Sequence, residues 1–236
     1  QYSFFNEKGF VPAHAVQLYY GTILHEVLDR AHYHYKGFDD PKTKGKLPTK
    51  FDIERFFNEV DSSLKARGIR AINQDLRKNA VNVLKLFNDI EGPSFYPRVI
   101  DTEHRVRGNR KKYLMEGVVD VLVDSNSNPN KSTKDPSKWE IWDYKGQRRP
   151  KKEEELEIYY YQMQVYCALY KIKNGCLPKA AKLYFLNELL FDPTPQSKTA
   201  VLEVTISSSE INKAIKNFDN TAAEIIRSKE TLIWKS

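Results

Sequence analysis

The sequence predicts one α+β domain: a central mixed sheet flanked by helices, with a helical insertion ahead of the strands. Three observations carry this expectation. Apolar residues recur at helical spacing as far as Asp89, and from Arg98 the period shortens to the alternation of strands. A long helical pattern, Glu153 to Lys173, stands between two strand-like segments, Trp139 to Lys145 and Lys182 to Asn187. Finally, 236 residues with no internal repeat suit a single sizeable domain. The expected layout is one domain over 1–236, with the insertion at 36–97, the principal sheet and its helix at 98–190, and a terminal strand and helix at 191–236.

Each element has its own signal. From Pro12 to Tyr35, the residues Val16, Tyr20, Leu24, Val27, Leu28 and Ala31 form a helical stripe with His25 on or beside it. Residues 36–50, rich in Gly, Pro, Asp and Lys, read as an exposed loop. Helices are expected at Asp52–Ala66, with Thr49 as cap, and at Ala71–Asp89, stopped by Gly92-Pro93. Strands follow at Val99–Val106 and Tyr113–Val123, joined by a turn at Gly108-Asn109. A polar hairpin loop, 124–138, leads to the strand Trp139–Lys145. The Glu153–Lys173 helix ends at Asn174-Gly175, a strand is expected at Ala200–Ile206, and Ser207–Ser228 forms the last helix.

The chemistry begins at Trp142-Asp143-Tyr144-Lys145-Gly146. In a strand, residues two apart share a face, so Asp143 and Lys145 project together, away from Trp142 and Tyr144. Upstream, Asp120 stands in the apolar run Gly117-Val118-Val119-Asp120-Val121-Leu122-Val123, where a lone carboxylate is expensive to bury. A divalent cation shared with Asp143 answers that cost. Gln162 and Tyr166 lie one helical turn apart and can both face the sheet.

These segments, in order, resemble the RecB-like branch of the PD-(D/E)XK nuclease superfamily. Gly21-Thr22-Ile23-Leu24-His25 matches its G-x-x-x-H helix, Glu103 its acidic strand, Gly117 to Asp120 its G-x-x-D strand, Asp143 to Lys145 its (D/E)-x-K strand, and Gln162 to Tyr166 its Q-x-x-x-Y helix. The resemblance spans residues 15 to 190. It implies a restriction-endonuclease-like core and a metal-dependent DNA nuclease, an exonuclease module of repair or recombination of the kind carried by UvrD-like helicases. It also implies that Asp120, Asp143, the His25 ring and the Tyr144 carbonyl hold Mg²⁺ or Mn²⁺, hard cations that favour oxygen ligands and keep waters. Lys145 would sit at the scissile phosphate, and Glu103 would hold water near the metal or support the ligands. Gln162 and Tyr166 would touch DNA or brace the site. Some relatives bind an iron–sulfur cluster through four cysteines; with Cys167 and Cys176 alone, none is expected here. A CRISPR-associated RecB-like nuclease is the alternative within the enzyme class, and a non-catalytic module binding DNA ends is the alternative outside it.

Composition fits. The net charge of +7 and pI near 9.1 suit a polyanionic partner. Basic residues gather at 105–112 and again at 145–152, where Arg148 and Arg149 are expected to meet the phosphates of single strands or duplex ends. The tyrosines of the long helix, Tyr159, Tyr160, Tyr161, Tyr166 and Tyr170, offer surfaces on which unpaired bases could stack. His32 and His34 point apart on a helix and make no zinc pair. No apolar run is long enough for a membrane span, and an intracellular, nucleoid-associated protein is expected.

Overall fold

The computed structural model describes residues 13–71, 73–110, 112–126 and 133–231, the side chains of 13–17 and 229–231 excepted. The chain divides into two compact units. The first takes the described residues up to Val99, with Tyr144–Arg149 and Tyr184–Val201; the second takes Ile100–Asp143, Pro150–Leu183 and the chain from Leu202.

The first unit is helical, with α1 (Ala13–Lys36), α2 (Lys50–Ala66), α3 (Gln74–Ile90) and the short α4 (Gly92–Phe95). The stripe on α1 is buried at Tyr20, Leu24, Val27, Leu28 and Ala31. Thr49 caps α2 in a reciprocal box: its side chain accepts the Asp52 N–H at 3.1 Å, and Asp52 accepts the Thr49 N–H at 2.9 Å. α3 starts later than the periodicity suggests, because Asn73 accepts the Leu76 N–H at 2.8 Å and sets the boundary. Gly92-Pro93 follows the end of α3 and opens α4, since proline is tolerated in a first helical turn. The core joins Phe87, Phe95, Tyr96, Tyr144 and Tyr184, with Phe87 edge-on to Tyr144 and Tyr184 at centroid distances of 5.5 and 5.4 Å.

Most of a five-stranded sheet belongs to the second unit, in the order β1 (Val99–Asn109), β2 (Leu114–Asp124), β3 (Trp139–Lys145), β4 (Ala180–Phe185), β5 (Val201–Val204). β2 and β3 are antiparallel, with Val121 opposite Trp142 and Asp124 opposite Trp139. β3 and β4 are joined through α5 (Glu153–Asn174), as parallel neighbours require, and the Lys179 N–H bonds the Trp139 carbonyl at 2.7 Å where both strands start. The sheet is therefore mixed and flanked by helices, as the sequence predicts. β1 runs through Gly108-Asn109 rather than turning there, and the Arg110 N–H bonds the Tyr113 carbonyl at 2.9 Å. Of the hairpin loop, residues 127–132 lie outside the described residues, while Pro136–Lys138 form a 3₁₀ turn. Gly175 ends α5 at φ +76°, bonding the Lys171 carbonyl at 2.9 Å. Three glutamates in the first turn and two lysines in the last complement the dipole of α5, and α6 (Ser208–Thr231) packs against it.

Two glycines permit close packing. A Cβ on Gly117 would come within 2.8 Å of the Tyr166 ring, so α5 seats on β2 only because position 117 has no side chain. In the first unit, a Cβ on Gly146 would approach Leu24 at 3.0 Å and Tyr20 at 3.2 Å.

Candidate active site

In the second unit three acids converge on one region of the sheet. Carried one residue beyond Val121 and Trp142, the register of β2 and β3 sets Asp120 across from Asp143, with both side chains on the same face. Like charges at opposed positions repel. Glu103 joins them: its carboxylate and that of Asp120 each offer an oxygen within 4.8 Å of the other. Asp143 is only 2 % exposed, whereas Glu103 lies at the surface.

Backbone strain puts Glu103 there. On β1 the buried face changes parity between Val99 and Thr102, and Glu103 follows with φ +49°, a left-handed conformation that a non-glycine residue adopts at a cost of about 1–3 kcal/mol.

Helix α5 braces these acids from its inner face. The Gln162 Nε2 donates to the Tyr166 hydroxyl at 3.0 Å and, at the long limit of 3.5 Å, to Asp143 Oδ1. Tyr166 senses all three charges: burial pushes its phenol up to about 12, the Gln162 hydrogen bond pulls the other way, and Asp143, Asp120 and Glu103 each add a lesser upward push. Gln162 thus lies between the Tyr166 hydroxyl and Asp143.

In the first unit, α1 grips the end of β3 at two points. His25 Nε2 donates to the Tyr144 carbonyl at 2.9 Å. Two helical turns on, His32 Nε2 lies 3.2 Å from the Tyr144 hydroxyl, with the two rings near parallel at 13°. Burial pushes the His32 imidazole down to about 3, so it is neutral, and His34 is instead edge-on to Phe56. The seven-residue spacing of His25 and His32 is the helical signal that sequence reading left unused. Tyr144 continues β3 from Asp143, and Lys145, one pleat beyond Asp143 on the same face, is half-buried. Tyr144 itself points into the aromatic core, as the alternation requires.

The two arginines are both engaged. Arg148 makes a forked contact with Glu188, Nε to Oε1 at 3.2 Å and Nη2 to Oε2 at 3.3 Å. Arg149 donates its N–H to Glu188 Oε1 at 3.0 Å and Nη1 to the Lys198 carbonyl at 3.0 Å. Among the tyrosines of α5, Tyr170 is fully buried with its hydroxyl on the Pro136 carbonyl, so it offers no stacking surface; Tyr159, Tyr160 and Tyr161 are half-exposed.

Facing carboxylates are an oxygen donor set that fits a hard divalent cation: two ligands at about 2.0–2.6 Å from one ion stand no more than about 5 Å apart. Among the described residues no helix is long and apolar enough to cross a membrane. No curated protein matches the chain. Residues 2–234, all but the extreme ends, match the family model of the PD-(D/E)XK nuclease superfamily, and the chain belongs to that superfamily.

Proposed function

We propose that this chain is a metal-dependent deoxyribonuclease of the RecB-like branch, an exonuclease acting on DNA ends in repair or recombination, alone or linked to a helicase motor. The observation that carries the reading is the pairing of Asp120 with Asp143 across β2 and β3, with Lys145 one pleat further along.

Asp120 and Asp143 are the carboxylate ligands for Mg²⁺ or Mn²⁺. The Tyr144 carbonyl, next in the chain after Asp143, and His25 complete the protein's share. In the structure the two are hydrogen-bonded at 2.9 Å, so His25 would join the ligands by presenting the lone pair of its ring nitrogen in place of that N–H. A cation held there would supply an acidified water and offset charge on the phosphoryl oxygens. Each residue of the chain then has a defined task. The two aspartates supply the negative charge that draws the cation, and Gln162 and Tyr166 keep Asp143 oriented. Glu103 accepts a hydrogen bond from water at the outer edge of the cluster. Lys145 places a compact cation beside the scissile phosphate, orienting the attacking water and stabilising charge that grows in the transition state.

Lys145→Ala separates this role from a structural one. Single-turnover cleavage of end-labelled DNA at saturating Mn²⁺ is expected to fall by roughly a hundredfold or more, with Mn²⁺ affinity and DNA binding retained. Asp120→Ala should lose metal binding and activity together. Near-normal turnover by Lys145→Ala would remove the reading.

A further inference from the structure

Phe191, in the segment that follows β4 in the first unit, is 63 % exposed and yet firmly held. Its ring carries the Arg148 guanidinium, whose Cζ lies 4.0 Å from the centroid. Glu188, 5 % exposed, fixes that guanidinium through both carboxylate oxygens. The backbone is anchored too. The N–H groups of Phe191 and Asp192 donate to the Glu188 carbonyl at 2.9 and 2.8 Å, and Asp192 accepts from Thr194 and Thr199 at 2.7 and 2.9 Å. Single exposed apolar residues are ordinary on protein surfaces. An aromatic ring backed by an arginine that a buried carboxylate holds is a built feature, because it forgoes the stabilisation that burying it would contribute while its position is still specified.

Its surroundings select the partner. Lys145, Arg148, Arg149 and Lys198 outweigh Glu188 and Asp192 in these segments, so the neighbourhood favours a polyanion. Lys145 and Arg148 are three residues apart, at most about 11 Å of backbone. A planar face among cations, seated on an arginine three residues after the proposed catalytic lysine, matches a nucleotide strand whose base is unpaired: in a duplex the base faces are covered by their neighbours.

We propose that Phe191, backed by Arg148, is a stacking platform for an unpaired nucleobase beside the cleavage position, so that the substrate class is single-stranded or frayed DNA ends. This rests on the nuclease reading above. Arg148 acts through the ring it supports and through its charge, and Phe191 is a stacking surface that the sequence reading did not single out.

The test is binding in EDTA, where cleavage does not intervene, of a fluorescein-labelled oligothymidylate and of a blunt duplex of equal length to the wild-type chain, Phe191→Ala and Phe191→Trp. Stacking of one base predicts that Phe191→Ala weakens single-strand binding about five- to hundredfold, that Phe191→Trp restores it, and that duplex affinity changes less than twofold. A strand carrying 2-aminopurine should be quenched by the wild type and Phe191→Trp but not by Phe191→Ala. Unchanged single-strand affinity in Phe191→Ala, equal losses for strand and duplex, or no single-strand binding by the wild type would each overturn the platform. Failure of the wild type to cleave any DNA with Mn²⁺ would instead sink the nuclease reading and leave the stacking result standing.

Discussion

Gly117 shows how a single atom decides the position of a functional side chain. With a Cβ 2.8 Å from Cε1 of Tyr166, Gly117→Ala must push the tyrosine away from β2, and with it the Gln162 amide that Tyr166 engages. The expected outcome is a loss of about 1–3 kcal/mol, typical of an overpacked contact, read as a lower midpoint in urea. A variant of unchanged stability would show that α5 can shift freely. Asp61 makes a second residue-scale case. It is 2 % exposed and accepts from Tyr19 at 2.8 Å, Lys65 at 2.7 Å and Arg77 at 3.2 Å. Burial alone would raise its carboxyl, and the hydrogen bonds from Lys65, Tyr19 and Arg77 overcome that and hold it below the usual range. Because the folded state binds its proton less readily than the unfolded chain, Asp61 contributes stability that is fully present above about pH 4 and is lost as the pH falls through the depressed folded value. Asp61→Asn should lower stability at neutral pH by about 1–3 kcal/mol and flatten the acid limb of the stability–pH curve. An acid limb as steep as that of the wild type would show that other carboxylates set it.

Among the elements, α2 and β1 illustrate opposite relations between local signal and outcome. The Thr49–Asp52 box is local chemistry, complete within four residues, and it starts α2 where the sequence says it should. Thr49→Ala is expected to destabilise the chain by about 0.5–2 kcal/mol, while Thr49→Ser or Thr49→Asp should keep most of the stability. Equal melting of all three would mean that tertiary packing, not the cap, holds the helix end. β1 is different. Its alternation breaks near Glu103, and the left-handed backbone there is imposed by the sheet and by what Glu103 faces, since nothing in the residue's own chemistry favours φ +49°. The sequence therefore places the acid on the strand but not the distortion that aims it.

For the whole molecule, charge makes the broadest forecast. A chain of net +7 that recognises backbone phosphates should bind DNA with a strong dependence on salt, each neutralised phosphate adding about −0.9 to the slope of log K against log salt on duplex and about −0.7 on single strands. A slope steeper than about −2 on both substrates is expected; affinity that does not respond to salt, or that sorts duplexes of equal length by sequence, would contradict backbone recognition.

The sequence by itself determined the class of fold and the identity of the candidate acids. Strand alternation and the D-x-K spacing are properties of one extended segment, and the change from helical to strand period at Arg98 is visible without any partner. The resemblance supplied His25, Glu103, Gln162 and Tyr166 on the same footing, because motif order survives in a linear chain. What only the tertiary structure decided depends on pairing across distant segments. The register of β2 against β3 opposes Asp120 and Asp143, the absent side chain at Gly117 seats Tyr166, and the buried Glu188 claims Arg148 and thereby turns Phe191 into a presented ring. Those relations join residues from about 20 to about 50 positions apart, and local propensity carries no information about contacts that exist only once the chain has closed those distances.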